Sequence, residues 1–300
     1  MTLTAPEYYG RFKCIADKCT HSCCIGWEID IDSDTMDKYT ALSGGYAENI
    51  RASIDDGEIP HFRLGTDERC PHLDESGLCR IICEHGEGYL CDICREHPRF
   101  YNETAHGLEA GLGMACEEAC RMILGSDDYD KMEVIKEDSE VFDPPEFDAV
   151  PHRERIFSML RRDDIHYSQK TAQISREYNV SVTTLTDAEW RALLCSLEYL
   201  DEAHRELFSR YSSDTVPSKH TEKALERALA YFVYRHVTGA WDEESLRARV
   251  GFSLLCTALL ASVAASGDID PVTAARIISE EIEYSEDNTA ALVFELESLL

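Results

Sequence analysis

Four thiols fall within eleven residues near the N-terminus, in CIADKCTHSCC: Cys14, Cys19, Cys23 and Cys24. A second group runs Cys70-x8-Cys79-x3-Cys83-x7-Cys91-x2-Cys94, and Cys116 and Cys120 follow it. Thiolates are soft ligands, suited to zinc and to iron–sulfur clusters. Of the spacings present, only Cys91–Cys94 has the C-x2-C form of a zinc knuckle. The vicinal side chains of Cys23 and Cys24 diverge, which suits two ions, or one ligand and one packing group. A cluster is larger than a single ion and tolerates more varied spacing. The pattern points to a metal site and leaves iron–sulfur and zinc both open.

The rest of the composition bounds where such a site can work. Thirteen cysteines in a small secreted chain would suggest disulfides, but this chain has 300 residues, an odd cysteine count and an N-terminus, MTLTAPEYYGRFKC, without an apolar run. The expected location is the cytoplasm, where thiols stay reduced. Acidic residues number 58 against 29 basic, for a net charge of −29. Residues 1–125 carry 11 Lys/Arg against 23 Asp/Glu, so both parts of the chain are acidic. Neither nucleic acid nor an anionic membrane is an expected partner, whereas a basic protein is attracted. The longest apolar stretch, VGFSLLCTALLASVAA (Val250 to Ala265), is short for a membrane span and reads as a buried core helix.

The elements that must position the thiols are short. DSDTMDKYTAL reads as a helix capped by Asp32 or Ser33, and YAENIRASID as a second one. CPHLDESGLCRI reads as a hairpin or knuckle turning at DESG. RFYNETAHGLEAGLGM reads as a hairpin around His106-Gly107, and CEEACRMIL as a helix with Cys116 and Cys120 on one face. An acidic stretch ending in Pro144-Pro145 reads as a linker. Beyond it, apolar residues recur at spacings of three and four, as in a helical bundle. The fold class expected is mainly α with small β-hairpins. The expected division is a cysteine-rich cluster-binding region (1–125), an acidic linker (126–147) and a helical bundle (148–300). Cys195 and Cys256 sit in apolar surroundings and read as structural. The first region shows little continuous core of its own, so its folding is expected to depend on metal.

CIADKCTHSCCIGWEIDID resembles the opening of the flagellin lysine-N-methylase family, which has the form C-x4-C-x3-C-C-x-G-W. CPHLDESGLCRIICEHGEGYLCDICREHPRFYN is similar to its second block, and GMACEEACRMIL to its third, a cysteine opening a helix. The resemblance covers roughly Ala5 to Leu124. It implies an iron–sulfur cluster, of the 4Fe–4S type with zinc as the alternative, and methyl transfer from S-adenosylmethionine to lysines of flagellin or a related lysine-bearing protein. The positions matching the family pattern are Cys14, Cys19, Cys23, Cys24, Cys70, Cys79, Cys94 and Cys116. Cys83, Cys91 and Cys120 are additions to it. The competing class is a noncatalytic zinc- or iron–sulfur-binding module for protein interaction or electron transfer.

Other signals carry blander readings. Radical use of S-adenosylmethionine shows C-x3-C-x2-C, but Gly26, Gly86 and Ile123 stand where the third cysteine would be. Gly111-x-Gly113 lacks the doubly wound context of a cofactor loop and reads as a hairpin end. His21, His72, His85 and His97 read as surface residues or as partners that hold ligands in place. Arg95 and Arg99 can donate hydrogen bonds to cluster sulfurs or pair with carboxylates. Gly26-Trp27 reads as a turn that buries an indole over the cluster. LAYFVYRHV reads as core.

Overall fold

The computed structural model describes residues 2–137, 143–266 and 269–300. The chain begins with β1 (Thr2–Pro6). Next come α1 (Ser33–Ala41), α2 (Ala47–Ser53), the two-residue strands β2 (Ile54–Asp55) and β3 (His61–Phe62), α3 (Arg80–His85) and α4 (Asp92–Glu96). β4 (Arg99–Thr104), β5 (Gly107–Leu112), α5 (Glu117–Gly125) and β6 (Met132–Glu137) follow. The remainder is helical: α6 (Val150–Leu160), α7 (Tyr167–Tyr178), α8 (Asp187–Ser196), α9 (Glu202–Phe208), α10 (Lys219–His236), α11 (Glu243–Ser266), α12 (Pro271–Ile278) and α13 (Glu286–Ser298). The class is mainly α with small sheets.

Packing divides the chain into two units, Lys13–Pro98 and Met1–Phe12 together with Arg99–Leu300. This differs from a division at residue 125, and pairing explains the difference. β4 and β5 form the expected hairpin, from Arg99↔Leu112 to Thr104↔Gly107. β5 also pairs in parallel with β1, with Leu3 opposite Leu108. Parallel strands need a long crossover; here the crossover contains the whole Lys13–Pro98 unit. β6 adds antiparallel to β1, giving the order β4-β5-β1-β6. The segment read as a linker therefore holds a strand, and its residues 138–142 lie outside the described residues. Phe100 packs so closely on Gly111 that a Cβ there would lie 2.2 Å from the ring.

The larger unit is built around α10 and α11. α11 is buried along most of its length, because Leu246, Val250, Phe252, Leu255, Leu259 and Leu260 all face neighbours. It is long and apolar enough to pass for a membrane span by composition, yet 72% of its most apolar window is covered by protein. Cys256 lies inside this core, as does Cys120, whose Sγ donates to the Val272 carbonyl at 3.4 Å.

The smaller unit has its own core of Ile29, Ile31, Tyr39, Ile50, Phe62 and Ile81 with the sulfurs of Cys70 and Cys91. Little continuous core is expected from the sequence in residues 1–125, and this cluster is a core of its own within them. Its apolar residues are spread over short elements, so no single periodic stretch reveals them.

Candidate metal centre

Turn chemistry brings the thiols together. The loop at Cys24 runs antiparallel to residues 68–70: the Cys70 amide donates to the Cys24 carbonyl at 2.8 Å, and Gly26 donates to the Glu68 carbonyl at 3.1 Å. Gly26 has φ +84°, a backbone conformation that suits glycine. From Cys70 the chain turns back at DESG, as its sequence implies. The Asp74 carboxylate accepts from the amides of Ser76 (2.8 Å) and Leu78 (3.0 Å), and Gly77 takes φ +82°. Asx turns of this kind favour Asp and Gly for these reasons. The turn pairs Leu73 with Cys79.

Cys79 is the residue before the first turn of α3, and Cys91 holds the same place before α4. Cys94 lies in α4, one turn beyond Cys91. Asp32 fixes the start of α4. Its Oδ1 accepts from the Thr35 amide at 2.9 Å and caps α1, while its Oδ2 accepts from the Asp92 amide at 2.8 Å. One carboxylate thus ties together the starts of two helices.

Cys70 and Cys91 are buried, and Cys24, Cys79 and Cys94 are half-buried around them. All are free thiols. Their charges influence one another. A hydrogen bond from Cys23 brings Cys24 down to about 7, against the opposing effect of burial, with help from Ser22 and Arg69. Burial pushes Cys70 up to about 12, with Cys24 and Cys79 adding to it. Burial also raises Cys79, while the amides of Ile82 and Ile81 pull the other way. Cys91 is lowered by its hydrogen bond with Cys94, with Tyr39 assisting, whereas Cys94 is pushed well up by Cys91, by burial and by the charges of Cys24 and Cys70. Without a cation these sulfurs cannot all be thiolates, because each anion opposes the next. A soft cation or an iron–sulfur core removes that conflict, so the donor set fits such a group.

Of the eight sequence-matched positions, the structure gathers Cys24, Cys70, Cys79 and Cys94. Cys23 is exposed and hydrogen-bonded to Cys24. Cys14 is exposed and accepts from the Ala16 amide at 3.4 Å, and the Cys19 thiol donates to the His21 carbonyl at 2.9 Å. Cys116 belongs to the larger unit, where it precedes the first turn of α5. Cys91, set aside by the family pattern, lies among the gathered thiols; its C-x2-C spacing with Cys94 was the signal. Cys83 is exposed and acts on Cys79 through its charge.

The histidines divide. His72 is buried with Nδ1 3.0 Å from the Tyr46 hydroxyl and Nε2 3.0 Å from the Ser53 hydroxyl, so both ring nitrogens are engaged and it is not a ligand. Burial, with Arg80 nearby, lowers it to about 4 and keeps it neutral. Burial likewise lowers His97 to about 4. His85 packs against Tyr89, and its Nε2 is buried with no hydrogen-bond partner among the described residues. Arg95 pairs with Asp92, and Arg99 stacks over Tyr9 and Phe12. The Trp27 indole is half-exposed rather than buried.

Sequence reading missed a second polar group, at the π-helical turn Ser279–Glu283. Glu280, Glu281 and Glu283 are all buried there. Glu281 accepts from the amides of Leu200 (2.8 Å) and Asp201 (3.2 Å) and contacts His204 Nδ1 at 2.6 Å. Glu280 pairs with Arg276, and Glu283 binds His236 Nε2 at 2.5 Å and the Tyr231 hydroxyl at 2.9 Å. His204, Glu280 and Glu281 place ligand-type atoms within 4.8 Å of one another. Their bonds within the fold explain their burial.

Fold and site together define a mainly helical protein that carries a gathered set of reduced cysteines in a small inserted unit. The chain is 32% identical over 141 residues to a lysine-N-methylase of Salmonella typhimurium, covering 43% of this chain and 34% of that protein. It is 31% identical over 141 residues to the flagellar biosynthetic protein FliU of Salmonella muenchen, covering 80% of that protein. A lysine-N-methylase of Salmonella choleraesuis is 30% identical over 138 residues. The chain belongs to the flagellin lysine-N-methylase family. The match spans about a third of the length of the two lysine-N-methylases, 34% in each. No family model and no solved structure matches the chain.

Proposed function

We propose that the protein is a lysine methyltransferase that uses S-adenosylmethionine and acts in the cytoplasm on flagellin or another lysine-bearing protein. In this reading the small unit holds an iron–sulfur cluster, with zinc as the alternative metal in the same thiols. The observation that carries it is the convergence of Cys24, Cys70, Cys79, Cys91 and Cys94 in a chain of this family.

Those five sulfurs are the ones that would hold the metal. When bound, a cluster would neutralise the thiolates and supply a redox-capable or structural centre. The transfer itself needs a neutral lysine amine. Its proton leaves to an acceptor, the amine nitrogen attacks the methyl carbon, the sulfonium S–CH3 bond breaks and a thioether departs. An excess of 58 acidic over 29 basic side chains draws a lysine-bearing segment to the surface.

Two measurements test the reading. Anaerobically purified protein should be brown, with iron and acid-labile sulfide in stoichiometric amounts. Incubation with flagellin and methyl-labelled S-adenosylmethionine should label lysine. Stoichiometric zinc without iron or sulfide would replace the cluster by a structural zinc site. Absence of labelled lysine across a panel of flagellins would sink the methylase reading.

A further inference from the structure

A hollow of about 410 Å³ opens in the larger unit where the end of α7 meets α11 and α13. Its floor is apolar, with Val180, Ala248 and Leu296. Arg176 and Arg247 stand over that floor. A neighbouring hollow of about 480 Å³ shares Arg247 and adds Arg155 and His152 together with Glu177 and Glu243.

The first hollow is lined by two arginines and no acidic side chain, which runs against the rest of the chain. Acidic residues outnumber basic ones two to one. Arg155 follows the general rule and pairs with Glu177. Among the described residues, neither Arg176 nor Arg247 has a carboxylate within 4 Å. Arg247 instead donates to the carbonyls of Tyr178 (3.0 Å) and Asn179 (2.9 Å), which fixes its guanidinium beside the hollow. Arg176 is exposed in the last turn of α7, where the helix dipole favours a cation. The dipole accounts for a cation at that helix end. It does not account for two arginines without acid partners beside a concave apolar floor.

We propose that this hollow binds a small amphipathic anion, with a carboxylate or phosphate head on the arginines and a short apolar body on the floor. Guanidinium groups match planar or tetrahedral oxyanions through paired N–H donors. The volume lies in the range of metabolite-sized pockets, in which an apolar lining with few convergent polar groups is usual. The proposal stands independently of the methyl-transfer reading.

Calorimetric titration of the full-length protein decides it, with n-octanoate and octyl phosphate as probes and n-octanol as the neutral control. One or both anions should bind saturably, at least tenfold tighter than octanol, and more weakly as salt is raised. Preference for one head identifies the source class. Arg176 is exposed, so Arg176→Gln should fold normally and weaken binding about tenfold, as expected for one charge-assisted hydrogen bond. Arg176→Lys should recover part of the loss. The proposal is overturned by octanol binding as tightly as the anions, by no saturable anion binding, or by unchanged affinity in Arg176→Gln.

Discussion

Asp32→Ala removes the carboxylate that serves two helix starts, and its cost can be worked from the structure. The Thr35 bond is an ordinary N-terminal cap, worth about 1 kcal/mol. The Asp92 bond is a second charge-assisted one, worth roughly 1–2 kcal/mol for a half-exposed carboxylate. Together α1 and α4 should lose about 2–3 kcal/mol, since 1.36 kcal/mol corresponds to a tenfold change. Hydrogen–deuterium exchange of the segments Ser33–Ala41 and Asp92–Glu96 should therefore speed up roughly 30- to 150-fold wherever the small unit opens as a whole. Asp32→Asn keeps an oxygen for Thr35 but offers an NH2 group toward the Asp92 amide, so it should lose the second bond and keep the first. Its exchange should fall between wild type and Asp32→Ala. Burial opposes ionisation of Asp32, yet the amides of Asp92 and Thr35 outweigh it and hold the carboxyl below the usual range. A group depressed in the fold stabilises above its unfolded pKa, about 3.9, and loses that contribution as pH falls through the depressed value. The wild-type advantage over Asp32→Ala should thus shrink below about pH 4. Unchanged exchange at α4 in Asp32→Ala would refute the reasoning, because the Asp92 bond would then carry no load.

Three further outcomes follow from particular residues. Cys91→Ser should lower bound metal as much as Cys94→Ser does, while Cys195→Ser leaves it unchanged; elemental analysis of anaerobic protein compares them, and full metal content in Cys91→Ser would remove it from the ligand set. Gly111→Ala should destabilise the larger unit by about 1–3 kcal/mol, because the new methyl meets the Phe100 ring at 2.2 Å and the strand pairing resists a shift; thermal unfolding reads it, and an unchanged midpoint would show that Phe100 moves freely. Burial favours neutral His236 against the pull of Glu283, so its folded pKa lies below the unfolded one. Between those two values the unfolded chain binds the extra proton, so stability should rise with pH across that window. His236→Gln should flatten this rise, and a profile identical to wild type would count against His236 as its source.

Local elements were legible in the sequence and distant pairings were not. Asp32 before an amphipathic run, the DESG turn and the hairpin around His106-Gly107 are short-range signals, and each element forms where its residues imply. β1 has only five residues, and its parallel partner β5 begins about a hundred residues later, so no local pattern links them. β6 lies at an edge with residues 133–137 exposed, so it lacks the alternation that marks a half-buried strand. Periodicity does not single out the acids of SEEIE, because it reports which residues are apolar and not which cations await them. Arg276 stands one turn before Glu280, but His204 and His236 come from distant places in the chain, and only the tertiary fold brings them to Glu281 and Glu283.

Five of the cysteines differ by where they sit on a helix. Cys79, Cys91 and Cys116 each stand immediately before a first helical turn, at α3, α4 and α5. Unsatisfied amides and the positive end of the helix dipole favour a thiolate at that position, which is the form a metal binds. Cys120 and Cys256 lie inside helices and face the larger unit's core, where burial raises both thiols and keeps them protonated. Spacing alone places Cys116 and Cys120 as a C-x3-C pair, yet the first opens α5 and the second packs under α12. Family spacing and helix position agree on Cys79 and Cys116 and disagree on Cys91. For Cys91 the fold is the better guide, because its sulfur is buried beside Cys94 and the Tyr39 hydroxyl lies 3.6 Å away. In the proposed metal centre, a thiol held there by an anchored helix start stands among the sulfurs that would bind, whether or not the relatives share it.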